Sequence, residues 1–71
     1  MKYVTIFKDE DIEYGKREFD TLEKAQSHIK EFFGITEVAT ELNVWHKCTI
    51  TDYDFYGAKS EEIEHYRIST I

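Results

Sequence analysis

The stretch that decides the fold is Asp20–Gly34, DTLEKAQSHIKEFFG. Asp20 is placed to cap the first turn of a helix, with Glu23 three residues on to reach back to it. Leu22, Ala25, Ile29 and Phe32 recur at helical spacing, with Phe33 beside them, and mark one apolar face. Lys30 suits the negative end of the helix dipole, and Gly34 fits the left-handed residue that ends many helices. This is an amphipathic helix that needs a sheet to lie on. It carries no chemistry of its own.

The sheet is read on either side of it. Lys2–Lys8, KYVTIFK, alternates as a strand, with Val4 and Ile6 in one row and Tyr3, Thr5 and Phe7 in the other. Asp9, Glu10, Asp11, Ile12 and Glu13 carry too many acids for a strand centre and read as a solvated turn that continues through Tyr14-Gly15-Lys16. Arg17–Phe19 then returns as a short second strand. Past the helix, Ile35, Val38 and Leu42 keep a helical spacing, so a short second helix is expected there, with a strand as the alternative. Asn43–Thr51, NVWHKCTIT, is the clearest strand, and Glu61–Thr70 pairs with it across a turn at Asp52–Ser60.

Burial argues the register of that hairpin. Pairing 44 with 68, 46 with 66 and 48 with 64 gathers Val44, Cys48, Ile50, Tyr66 and Ile68 on the core side. Trp45, Lys47, Thr49, Ile63, His65 and Arg67 are left on the other, and a slip of one residue scatters the core. The expected fold is a single α+β domain over residues 1–71: an antiparallel sheet of three to four strands, one main helix on one face, and element order ββα(α)ββ.

Composition narrows the function classes. A chain of 71 residues buries only about 60% of its unfolded surface, so the core must be small. One cysteine forms no internal disulfide, which fits a reducing compartment. The start of the chain does not read as a signal peptide and no apolar run approaches the roughly 20 residues of a membrane span, so a cytoplasmic protein is expected. The formal net charge is −6. Such a surface repels phosphate backbones, and the basic residues are scattered among acids, so no direct nucleic-acid contact is expected.

Chemistry-bearing patterns fail on spacing. A calcium loop counted from Asp9 puts Tyr14 where glycine is needed, and one counted from Asp52 ends on Ile63 instead of a carboxylate. His46 and Cys48 share a strand face, but His65 points to the opposite face and His28 lies on the helix, so four zinc ligands do not converge. Cys48 sits mid-strand on the core side, where a reactive thiolate is not sustained. The expectation is no metal, no cofactor and no catalysis.

The aromatic residues give the positive signal. Trp45, Tyr53 and Phe55 fall on the sheet face the helix leaves bare, and Tyr3 and Phe7 are candidates to join them. Either Ile35–Leu42 folds over that face, or the face and its turns meet a partner. Tyr53, Phe55 and Tyr56 alternate with Asp52 and Asp54 in an aromatic and acidic tip suited to a basic groove. The expected partner-binding set is therefore Asp9, Glu10, Asp11, Glu13, Trp45, Asp52, Tyr53, Asp54, Phe55 and Tyr56. The expected partner is a protein with a basic surface.

The opening MKY with IF, followed by DTLEKA at the helix entry, is similar to the start of HicB-like antitoxins. That family's Pro-Gly turn before the helix is absent here, and no DNA-binding segment follows. In size, acidity and ββα-type mixture the chain also looks like phage-encoded inhibitors such as anti-CRISPR proteins. These resemblances imply an inhibitor or accessory factor of phage or mobile-element type. The alternative is a self-associating structural protein or antitoxin-like partner, dimerising through the bare face or an open edge strand.

Overall fold

The computed structural model describes every residue from Met1 to Ile71. Its elements are β1 (Tyr3–Asp9), β2 (Ile12–Phe19), α1 (Leu22–Phe33), β3 (His46–Tyr53) and β4 (Lys59–Thr70). The four strands form one antiparallel sheet in the order β2-β1-β4-β3, with α1 packed on one face. The fold is α+β, as the patterning implies.

Helix α1 starts one residue later than the capping-box reading placed it. Thr21, in extended conformation, is the N-cap, and its Oγ1 accepts from the Lys24 N–H at 3.2 Å. Asp20 stays outside the helix, because a Thr at the cap already satisfies a free N–H of the first turn. The helix ends as expected. Gly34 adopts φ 66, and the N–H groups of Gly34 and Ile35 both donate to the Lys30 carbonyl.

The buried face of α1 is Ala25 and Ile29, which meet Phe7, Tyr66 and Ile68 from the sheet. Phe32 is half exposed rather than buried, and stacks on Phe7 at 4.1 Å between ring centroids. Phe33 meets the same ring edge-on. Phe7 and Tyr3 therefore belong to the helix side and do not join the bare face. Val4, in the opposite row, is buried away from that cluster.

Strand β2 is longer than three residues. The turn is only Glu10 and Asp11, and pairing with β1 resumes at once, Asp9 with Ile12 and Lys8 with Glu13. Acids are compatible with this strand because it is a sheet edge, bare on its outer side. Its register shifts opposite Ile6, where Gly15 takes φ 69.

The segment 35–42 is neither helix nor strand. Its Ile35, Val38 and Leu42 nevertheless pack on the core beside α1, so the far face of the sheet is not covered by it. Tertiary partners replace local ones here: the Tyr66 hydroxyl accepts from Ala39 N–H at 3.1 Å, and the Ile68 carbonyl accepts from Asn43 N–H at 2.7 Å. Strand β3 then begins at His46 and pairs His46 with Tyr66 and Cys48 with Glu64, the register burial demanded. The expected pair of 44 with 68 is not formed, and Val44 lies exposed ahead of the strand.

Candidate functional site

Beyond the core, β3 and β4 continue as a two-stranded arm. Every residue from Thr51 to Ile63 is exposed, and the molecule measures 45 × 24 × 17 Å. The arm carries Phe55 and Tyr56 fully exposed at its tip. Asp54 builds that tip. Its backbone N–H donates to the Ala58 carbonyl at 3.0 Å, and its Oδ1 accepts from the N–H groups of Tyr56 and Ala58, each at 2.8 Å. Gly57 closes the turn at φ 76, a three-residue loop with a left-handed last residue. Asp52 is similarly engaged, accepting from the Tyr53 N–H at 3.0 Å. The two aspartates thus shape the loop as well as charging it.

The β1–β2 turn lies at the base of this arm, because Lys8 pairs with His65. Asp9 and Glu10 there share an open concavity with Glu61, Glu62 and Ile63. The acids at Asp9–Glu13 and Asp52–Asp54 are therefore at one end of the molecule, joined by Glu61, Glu62 and Glu64. Nine of the fifteen acidic residues are in this group. Glu13 differs from the others in standing directly across from Lys8. Reading the sequence missed Glu61, Glu62 and the exposed Ile63, since only the long-range β1–β4 pairing brings them near Asp9. It also missed the exposed Ile12, which the β1–β2 pairing sets across from Asp9.

Trp45 does not belong to this end. It lies on the bare face with Lys8 Nζ 4.5 Å and the Arg67 guanidinium 4.7 Å from its ring centroid. Tyr53 is on the same side of β3, but eight residues along a strand is about 26 Å. Trp45 and the tip aromatics are two separate features.

A polar cluster is buried where the arm meets the core. Glu64 is 6% exposed, and its Oε2 accepts from the Tyr14 hydroxyl at 3.2 Å. Burial raises the Glu64 carboxyl above its usual range, with Asp9 and Glu62 adding to the effect against the Tyr14 hydrogen bond. Tyr14 is pushed up to about 12, first by burial and then by the Glu64 charge. Burial, then Glu64, also raises the Cys48 thiol, which keeps it protonated and weakly nucleophilic at neutral pH. On the opposite flank, Arg17, Lys24, Ser27, His28 and Glu31 line an open groove between β2 and α1. Its charges are mixed in sign.

No protein-family model, characterised protein or solved structure matches this chain. No helix is long and apolar enough to cross a membrane.

Proposed function

We propose that this chain is a small acidic protein-binding module of inhibitor or accessory type, which inserts its β3–β4 arm into a basic surface of a nucleic-acid-processing protein. The observation that carries the reading is the arm: two fully exposed aromatic side chains on a turn fixed by Asp54, set on a stem flanked by acids. Phe55 and Tyr56 gain nothing from folding in this position, so their role is sought in a complex, where aromatics supply most of the binding energy. Asp9, Glu10, Asp11, Glu61 and Glu62 at the base steer the arm towards positive charge. Glu13 and Asp52 add to the field, Tyr53 extends the aromatic contact, and Trp45 stays outside the contact. The module works by occupying a surface, without catalysis, cofactor or direct nucleic-acid contact, as an inhibitor carried by a phage or mobile element does.

The test compares the wild-type chain with the double variant F55A/Y56A as bait in a cell lysate. The expected result is a set of basic proteins held by the wild type at low salt, released at high salt, and lost from the variant. Identical retention by both baits contradicts the proposal.

A further inference from the structure

The sheet has two edges, β2 and β3, and they differ. The β2 edge is broken by the register shift at Gly15 and lined with Glu13, Lys16, Arg17 and Glu18. Such bulges and charges discourage a further strand. The β3 edge has no register shift, and its charges, Lys47 and Asp52, stand towards its two ends. Its pairing with β4 runs unbroken from His46 to Tyr53, and its middle, Cys48-Thr49-Ile50-Thr51, is uncharged and mostly β-branched. Lys47, Thr49, Thr51 and Tyr53 are all exposed.

The backbone of this edge is unpaired in a definite pattern. Asp54 N–H donates to the Ala58 carbonyl, so the alternation of an antiparallel ladder turns the even-numbered residues of β3 towards β4. The odd-numbered ones, Lys47, Thr49, Thr51 and Tyr53, turn their N–H and C=O groups outward. In keeping with this, the Tyr53 N–H bonds to the Asp52 side chain.

We propose that β3 pairs antiparallel with β3 of a second copy about a twofold axis at Thr49, joining the two sheets into one. The occupant is argued from self-complementarity. In this register His46 faces Asp52 of the second copy, Trp45 faces Tyr53, Cys48 faces Ile50, and Thr49 faces itself. A histidine beside a carboxylate offers a hydrogen bond, and aromatic pairs and threonine pairs are favourable across antiparallel strands. Moving the axis to Ile50 sets Asp52 against Cys48, and moving it to Cys48 sets Asp52 against Val44; both lose the histidine–aspartate pair. The twofold axis keeps both helices on the same side and points the two acidic arms in opposite directions, which limits repulsion between chains of net charge −6. Phe55 and Tyr56 stay free at the two tips in this dimer, while Asp52 and Tyr53 are taken up in it.

The register makes a sharp test. In the double variant C48S/T49C the new thiols stand opposite each other, at a Cα separation of about 5.5 Å for a hydrogen-bonded pair. That lies within the disulfide range of about 4.4–6.8 Å. In C48S/T51C the thiols are about 13 Å apart. Mild oxidation is expected to give a covalent dimer from the first and none from the second. Light scattering is expected to find the wild type dimeric and T49P monomeric, because the Thr49 N–H makes no bond within the chain and proline is tolerated on an open edge. A wild type that stays monomeric over the whole concentration series overturns the proposal. So does equal cross-linking of the two cysteine variants, which decides the matter even if T49P does not fold.

Discussion

Gly15 stands over the ring of Phe7 so closely that a Cβ added to it would lie 2.8 Å from Phe7 Cδ2. The glycine also holds φ 69, a conformation that other residues adopt with strain. The two facts have one origin. The register shift in β2 bends the strand around the most buried ring of the core, and only a residue without a side chain fits between strand and ring. G15A is therefore expected to destabilise the fold by about 2–4 kcal/mol, adding left-handed strain to overpacking. Denaturant unfolding measures it, and a loss under about 0.5 kcal/mol, the size of an ordinary surface change, contradicts the reading.

Thr5 is fully buried beneath α1, and its Oγ1 has no hydrogen-bond partner. A hydroxyl desolvated without compensation costs about 1–3 kcal/mol. Valine keeps the shape and removes the orphan group. T5V is expected to raise the unfolding midpoint in denaturant, and a lowered midpoint would point to an unseen partner for the hydroxyl.

The helix start offers a paired comparison. T21A removes the oxygen that accepts from Lys24 N–H and is expected to cost about 1 kcal/mol. D20A, outside the helix, is expected to change stability by less than about 0.5 kcal/mol. The reverse order, read from thermal or denaturant unfolding, restores Asp20 as the cap.

The helix was legible because cap, stripe and stop all act within its own fifteen residues, and only the choice between adjacent Asp20 and Thr21 went to the neighbour. The β3–β4 register was legible because strand parity leaves one way to put His46 and Cys48 opposite the even-numbered residues of β4, on the side where Tyr66 and Ile68 are buried. What escaped depends on distant partners. Val38 and Leu42 have helical spacing, but Ala39 and Asn43 give their N–H groups to Tyr66 and Ile68, and the acids Glu37 and Glu41 repel across one helical turn. Strand β2 escaped because an edge tolerates the acids that argue against a central strand. At the candidate site, the exposure of Phe55 and Tyr56 followed from the Asp54–Gly57 turn signals. The meeting of Asp9 with Glu61 and Glu62 did not, since it rests on pairing across more than fifty residues of chain.

Glu64 and Tyr14 set a pH dependence. Glu64 holds its proton more tightly in the folded chain than in the unfolded one, chiefly through burial. The stability this contributes is fully present below the ordinary glutamate value and is lost as pH rises through the raised one. E64Q keeps an acceptor for the Tyr14 hydroxyl and removes the charge. It is expected to be more stable than the wild type at pH 7, with a flatter stability profile through the acidic range. Tyr14, with its neutral phenol favoured up to about 12, is expected to titrate earlier in E64Q, though still late because burial is the larger cause. Phenolate absorbance reads this directly, and an unmoved Tyr14 titration with lower stability at pH 7 contradicts the account.

The proposed function rests on steering of the acidic arm to a basic partner. Its most direct test is the association rate of the captured partner with the immobilised wild-type chain as salt is raised. Screening shortens the Debye length from about 30 Å at 0.01 M to about 8 Å at 0.15 M, so long-range attraction between acidic arm and basic surface fades over that range. The account predicts an association rate that falls steeply with ionic strength while the dissociation rate, set by Phe55 and Tyr56, changes little. An association rate independent of salt contradicts it.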